Sequence, residues 1–331
     1  MSRVAVMGSG SWGTAFALIL SDAGNQVTMW ARRAELASAI NSQHRNVDYF
    51  PGLQLPDSLT AVTDPDEAMQ GAEFVVLAVP SQSLRANLGA WSIPTEAVVV
   101  SLAKGIEQGT GLRMSQVIAQ TSNVVAERIA VVSGPNLSRE IADRKPSASV
   151  VASTSIETAA ALQAICHTPH FRPYTNTDVI GTELSGATKN VIALAVGIGV
   201  GIGLGDNASA SVITRGLAET TRLGLVLGAD PYTFSGLAGL GDLVATCSSP
   251  LSRNRTFGEA LGRGRTVAEI TASTRQVAEG VKSCASIQAL AYEHEVSMPI
   301  VEHVAEVIAG ELSAKDMITA LMSRAAKPER Y

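Results

Sequence analysis

The sequence predicts an α/β fold: an N-terminal Rossmann-type doubly wound sheet followed by an all-helical C-terminal domain. Three observations predict it. Short apolar strands alternate with helical segments through the first half of the chain. A glycine-rich turn, Gly8-Ser9-Gly10-Ser11-Trp12-Gly13, joins the first strand to the first helix. From about Asp178 the strand signals fade while helical segments continue. Alternating β and α with strands apolar on both faces implies a parallel sheet covered by helices.

The elements follow in order. Val4 to Met7 is a short apolar strand, and Trp12 to Ala23 reads as a helix stopped by Gly24-Asn25. Val27 to Trp30 is the next strand. Phe74 to Val79, Val98 to Leu102 and Ile129 to Val132 are continuous apolar runs of the kind a buried parallel strand needs. In the second half, Leu184 to Ile198, Ala208 to Leu227 and Ser286 to Ala309 read as helical. At about 100–200 residues per domain, the 331 residues accommodate two domains. The expected division is a dinucleotide-binding unit over residues 1–180 and a helical substrate-binding unit over 181–331, with the boundary inside 175–187.

Composition removes several function classes. With 25 basic and 30 acidic residues the net charge is -5, and no block of like charge stands out, so no nucleic-acid partner is expected. The cysteines, Cys166, Cys247 and Cys284, have no CxxC spacing, which suits a reducing compartment. His167 and His170 lack companion ligands, so no metal site is expected. The N-terminus enters a strand at once and leaves no room for a signal peptide, giving a cytoplasmic expectation. The apolar run Val191 to Gly205 is shorter than the ~20 residues of a membrane span and rich in glycine. It reads as a buried helix, and no integral membrane association is expected.

The glycine turn carries the first functional signal. Gly8 permits the tight turn, Gly10 lets backbone approach a pyrophosphate, and Gly13 lets helix and strand pack closely. The helix N-terminus then offers unpaired N–H groups and a positive dipole end to the phosphates. After the second strand stand Arg32 and Arg33, where an acid that binds the ribose 2′-hydroxyl of NAD is usual. Two guanidinium groups suit a 2′-phosphate instead. NADP(H) is therefore the favoured cofactor, with NAD(H) still open; nearby Glu35 reads as part of the next helix.

Five polar segments lie where a core would not want them. Lys104, in Ser101-Leu102-Ala103-Lys104-Gly105-Ile106-Glu107, follows a strand at the sheet edge where doubly wound folds place ligands. Ser133-Gly134-Pro135-Asn136 follows a later strand in the same way. Lys189, in Glu183-Leu184-Ser185-Gly186-Ala187-Thr188-Lys189-Asn190, opens the most apolar helix; desolvation and a neighbouring cation would lower its pKa toward neutrality. Asp242 sits among small and apolar residues in Leu237-Ala238-Gly239-Leu240-Gly241-Asp242-Leu243. Ser252-Arg253-Asn254-Arg255 concentrates phosphate-binding groups in four residues. Each segment alone also fits an ordinary solvated loop or turn.

As an ordered set these segments resemble the bacterial NAD(P)-dependent sn-glycerol-3-phosphate dehydrogenase family over nearly the whole chain. Further matching stretches are Ser11-Trp12-Gly13-Thr14-Ala15 and Ile213-Thr214-Arg215-Gly216-Leu217-Ala218-Glu219. The resemblance implies interconversion of sn-glycerol 3-phosphate and dihydroxyacetone phosphate by hydride transfer, mainly reduction for glycerophospholipid synthesis. It implies Lys189 as general base for oxidation and as acid for reduction, Lys104 as the polarising group, and Asp242 as substrate ligand or orienter of Lys189. It places Gly134, Asn136, Ser252, Arg253 and Asn254 with Lys104, Lys189 and Asp242 around the substrate. It places Gly8, Gly10, Ser11, Trp12, Gly13, Arg32, Arg33, Lys104, Ser138, Arg253, Val277 and Glu279 along the cofactor, with Tyr49 a weaker candidate. The only partners it implies are a small phosphorylated substrate and a second copy of the chain in a homodimer.

Two positions depart from the family pattern: Asn136 stands where a hydroxyl residue is common, and Ser138 where alanine is common. Two rival readings compete with this one. β-Hydroxyacid or 6-phosphogluconate-type dehydrogenases share a Rossmann unit and a catalytic lysine, but theirs has an asparagine four residues on, where this chain has Ala193. A non-catalytic NADP-binding sensor would have no need of two lysines and a Ser-Arg-Asn-Arg loop.

Overall fold

The computed structural model describes residues 1–273, 278–325 and 328–329. Its sheet has eight strands: β1 (Arg3–Met7), β2 (Gln26–Trp30), β3 (Leu59–Val62), β4 (Phe74–Leu77), β5 (Val98–Ser101), β6 (Ile129–Ser133), β7 (Ser147–Ser153) and β8 (Phe171–Asn176). Their order is β3-β2-β1-β4-β5-β6-β7-β8. Every neighbouring pair is parallel except β6 and β7. The chain winds outward from β1 to β3, then returns to β4 on the other side of β1. This reversal opens a crevice beyond the carboxyl ends of β1 and β4, where doubly wound folds bind ligands.

Three strands escape the apolar pattern that marks the others. β3 is short, and Thr60 within it is exposed. β8 is an edge strand containing Pro173, as strand prolines require. β7 is serine-rich yet buried, because its hydroxyls find partners on β6: Ser149 donates to the Ser133 carbonyl at 3.0 Å and Ser153 to the Ile129 carbonyl at 2.8 Å. A hydrogen-bonded hydroxyl tolerates a core position that an unpaired one would not.

The helical half begins with Val179–Ile202, capped by the Asp178 side chain accepting from the Gly181 N–H and ended by Gly203 at φ +94°. This helix extends well beyond the apolar run that predicts it. Its 24 residues would suffice to cross a membrane, but 83% of its most apolar window is buried inside the protein. It is the central strut of the helical core.

Its partner is the helix Arg253–Gly262, and the two backbones almost touch. A Cβ on Gly197 would lie 2.1 Å from the Arg255 carbonyl oxygen, and one on Gly258 would lie 2.2 Å from that of Leu194. Neither distance is compatible with a side chain. These glycines therefore set how closely the loop before Arg253 approaches the face carrying Lys189. The stretch Ser286–Ala309 is not one helix but parts of two, Glu279–Glu293 and Pro299–Ala309. Glu295 at φ +55° breaks the chain between them, and Pro299 starts the second.

Candidate active site

The crevice widens into a cavity of about 1160 Å³ between the sheet edge and the helical half. One end is formed by the glycine turn. Gly8 has φ +138°, and a Cβ there would meet the Ala78 carbonyl oxygen at 2.6 Å. A Cβ on Gly13 would lie 2.2 Å from the Gly8 carbonyl oxygen, so Gly13 sits behind the cavity wall and lets the helix Ser11–Asp22 seat against β1. Around Gly10 the Cβ position is empty to 4 Å. The wall is thus bare backbone at a helix N-terminus, the form a pyrophosphate requires. Trp12 lines the same space and carries a buried indole N–H without a partner among the described residues.

Arg32, Arg33 and Tyr49 lie at the mouth and are exposed, while Ser11, Ser138, Arg253 and Glu279 line the space between mouth and floor. Arg33 is held by an ion pair with Asp48. Burial raises the Glu279 carboxyl above its usual range, against the opposing pull of Arg253, Lys104 and Lys189. Val277 lies outside the described residues.

The floor is built from three parts of the chain. Lys104 follows β5, Lys189 projects from Val179–Ile202, and Asp242 opens the helix Asp242–Ser248. Asp242 bridges the two ammonium groups. Its Oδ2 accepts from Lys104 Nζ at 2.5 Å and its Oδ1 from Lys189 Nζ at 2.6 Å. Both lysines line the cavity; Asp242, only 1% exposed, lies behind them. Lys104 also donates to the Gly134 carbonyl at 3.1 Å, and Lys189 to Thr246 Oγ1 at 2.7 Å. Gly134 meets the cavity through that lysine and does not line it, and its φ of +147° against Ser149 excludes a side chain.

Electrostatics follow from this packing. Desolvation lowers the Lys189 pKa to about 8, with Lys104 pushing the same way and Asp242 opposing. Burial alone would raise the Asp242 carboxyl, but the two lysines outweigh it and hold the carboxyl below its usual value. The result is a buried cation with a proton to exchange near neutral pH, beside a fixed anion.

The remaining predicted polar residues also meet this space. Asn136 donates to Ser149 Oγ at 3.0 Å, leaving its Oδ1 buried and without a partner among the described residues. Ser252 caps the helix Arg253–Gly262, accepting from the Arg255 N–H at 3.2 Å. Asn254 donates to Asn190 Oδ1 at 2.9 Å and accepts from the Gly280 N–H at 3.0 Å, which fixes its amide. Arg253 stays exposed.

Sequence reasoning passed over Thr246, though it stands four residues after Asp242 on the same helix face. It gave no role to Asn190, which lines the cavity beside Lys189. It also missed the loop's anchors: Arg85 pairs with Glu107 at 2.8 Å, and Gln82 donates to the Ile106 carbonyl at 2.8 Å, together pinning the segment after Lys104.

Comparison with known proteins agrees with this geometry along the whole chain. Residues 3–159 match the family model for the NAD-dependent glycerol-3-phosphate dehydrogenase N-terminus, and residues 178–319 match that for its C-terminus. A glycerol-3-phosphate dehydrogenase [NAD(P)+] of Streptomyces griseus is 62% identical over 99% of this chain and 98% of its own. That of Thermobifida fusca is 61% identical over 100% of this chain and 99% of its own. The crystal structure of glycerol-3-phosphate dehydrogenase from Coxiella burnetii superposes with a TM-score of 0.93 at 35% identity, covering 98% of this chain and 99% of that one. The chain belongs to the NAD-dependent glycerol-3-phosphate dehydrogenase family.

Proposed function

We propose that this protein is an NAD(P)-dependent glycerol-3-phosphate dehydrogenase that chiefly reduces dihydroxyacetone phosphate to sn-glycerol 3-phosphate. The observation that carries the reading is the bridge of Lys104 and Lys189 by Asp242 at the floor of a cavity whose far end is a dinucleotide turn. Gly8, Gly10, Ser11 and Trp12 would hold the pyrophosphate region, with Gly13 seating the helix behind them, and Ser138, Arg253 and Glu279 would line the rest of the cofactor. When bound, the nicotinamide supplies the hydride. Lys104 polarises the substrate carbonyl, and the Lys189 ammonium gives its proton to the same oxygen as negative charge develops there. In the oxidative direction neutral Lys189 takes that proton back. Asp242 holds both amines in place and keeps Lys189 basic enough to carry a proton near pH 7.

Asn136 offers its free Oδ1 to a substrate hydroxyl. Ser252, Arg253 and Asn254 receive the phosphate; a guanidinium and a fixed amide at a helix start suit a dianion. Arg32 and Arg33, with Tyr49, are assigned to the adenosine end, favouring a 2′-phosphate while leaving NAD(H) usable. The nucleotide unit is assigned to residues 1–180 and the substrate unit to 181–331. The reading extends to a cytoplasmic homodimer serving glycerophospholipid synthesis. The test is direct: purified protein given NADPH and dihydroxyacetone phosphate should consume both and form sn-glycerol 3-phosphate. Cofactor binding without turnover would refute the assignment.

A further inference from the structure

Asp242 reaches both lysines from an unusual piece of backbone. Residues Leu237–Gly241 form a single π-helical turn immediately before it. The Gly241 N–H donates to the Gly236 carbonyl at 3.1 Å, five residues back, and the N–H groups at the end of the turn reach the Leu237 and Gly239 carbonyls. Such a turn holds one residue more than an α-helical turn, and π-turns are rare and frequently found at functional sites.

The excess residue settles a conflict between two packed ends. Before the turn, Phe234 is 2% exposed and fixes the short helix Pro231–Ser235. After it, Leu243 and Cys247 are buried against Ile192, Ala193 and Val196 of the long helix. Each α-helical residue advances the face by about 100°, so one residue more or less rotates all that follows by that angle. Asp242 shares the helix Asp242–Ser248 with Leu243 and Cys247, so a change in the residue count of the turn either rotates the carboxylate away from the lysines or unseats Leu243 and Cys247. Gly239 makes the turn passable, because a Cβ there would lie 2.1 Å from the Phe234 carbonyl oxygen. Leu240 contributes little side-chain packing; it is 39% exposed.

We propose that the Leu237–Gly241 turn is a positioning device for the reaction: its extra residue aims Asp242 between Lys104 and Lys189, and it depends on residue count and on Gly239 rather than on the side chain of Leu240. The proposal rests on the dehydrogenase reading, which turnover by the unmodified enzyme tests separately.

Two variants isolate the count from the side chain. Leu240→Ala removes the side chain at constant length, and deletion of Leu240 removes the residue as well. Turnover of dihydroxyacetone phosphate, NADPH affinity and the pH dependence of kcat are read on both. Leu240→Ala should keep kcat near that of the unmodified protein. The deletion should lower kcat about a hundredfold while NADPH affinity holds. It should also move the alkaline fall of the reductive kcat to lower pH. The groups facing Lys189 are Asp242 and Thr246 on one helix, Lys104 from the sheet edge and Glu279 from a third element. Losing Asp242 removes the principal carboxylate that supports the ammonium. Equal kcat and equal pH dependence in the two variants would overturn the proposal, as would parallel loss of turnover and NADPH binding in the deletion. Should the deletion not yield folded protein, Gly239→Ala poses the same question at constant length: the low-kcat, shifted-pH signature supports the device and unmodified kinetics overturn it.

Discussion

The two ends of the cavity are built on opposite principles. At the floor, Asp242 and Lys189 are buried and Lys104 is half-buried; Asp242 hydrogen-bonds both lysines, which are held further by Thr246 and the Gly134 carbonyl. At the mouth, Arg32 and Arg33 are exposed, and an ion pair with Asp48 restrains Arg33. Burial makes each floor charge expensive unless it is paired, so the floor is fixed before any ligand arrives. The mouth charges are screened by solvent and gain little from pairing. On the proposed reading, chemistry belongs to a preorganised end and cofactor discrimination to a soft one.

This contrast ranks the consequences of mutation. Lys189→Ala removes the proposed proton donor and should lower kcat about a thousandfold, with NADPH affinity nearly unchanged. A near-normal kcat in steady-state assays would remove Lys189 from the chemistry. Asp242→Asn keeps the shape but leaves two cations without their shared anion. It should cost about a hundredfold in kcat, and a loss confined to KM would break the proposed distinction between floor and mouth.

Toward the mouth the expected effects shrink and move from kcat to binding. Arg253→Ala should raise the KM for dihydroxyacetone phosphate about tenfold or more, the scale of one charge-assisted hydrogen bond, with kcat less affected. An unchanged KM would take Arg253 out of the phosphate site. Arg32→Ala combined with Arg33→Ala should weaken NADPH about tenfold and NADH less. The NADPH effect should fade as salt is raised. Equal losses for both cofactors would refute the 2′-phosphate assignment.

The legibility of the two ends in the sequence follows the same division. Local signals exposed the mouth: the glycine turn and the arginines that follow the second strand are contiguous or nearly so. The floor is assembled from groups 138 and 53 residues apart, Lys104 with Asp242 and Lys189 with Asp242. Only the ordered resemblance to a family brought these together; no periodicity could. Strand β7 was unreadable because Ser149 and Ser153 are satisfied by β6 carbonyls, a partnership invisible from composition. Thr246 was readable through its i+4 spacing from Asp242 but carried no motif. The π-turn before Asp242 had no signal at all, since Leu-Ala-Gly-Leu-Gly is equally compatible with an α-helical or a loop reading.

The claim that the floor is a proton-exchanging unit is tested most directly by the pH dependence of kcat in both directions, on the unmodified protein and on Asp242→Asn. In the proposed mechanism Lys189 must be charged to reduce the ketone and neutral to oxidise the alcohol. With its pKa lowered to about 8, reduction should fall and oxidation rise as pH increases through that value. Removing the Asp242 charge takes away the carboxylate that supports the ammonium, so both transitions should move to lower pH. Transitions that stay in place in Asp242→Asn, or reductive and oxidative rates that change in the same sense with pH, would contradict the account.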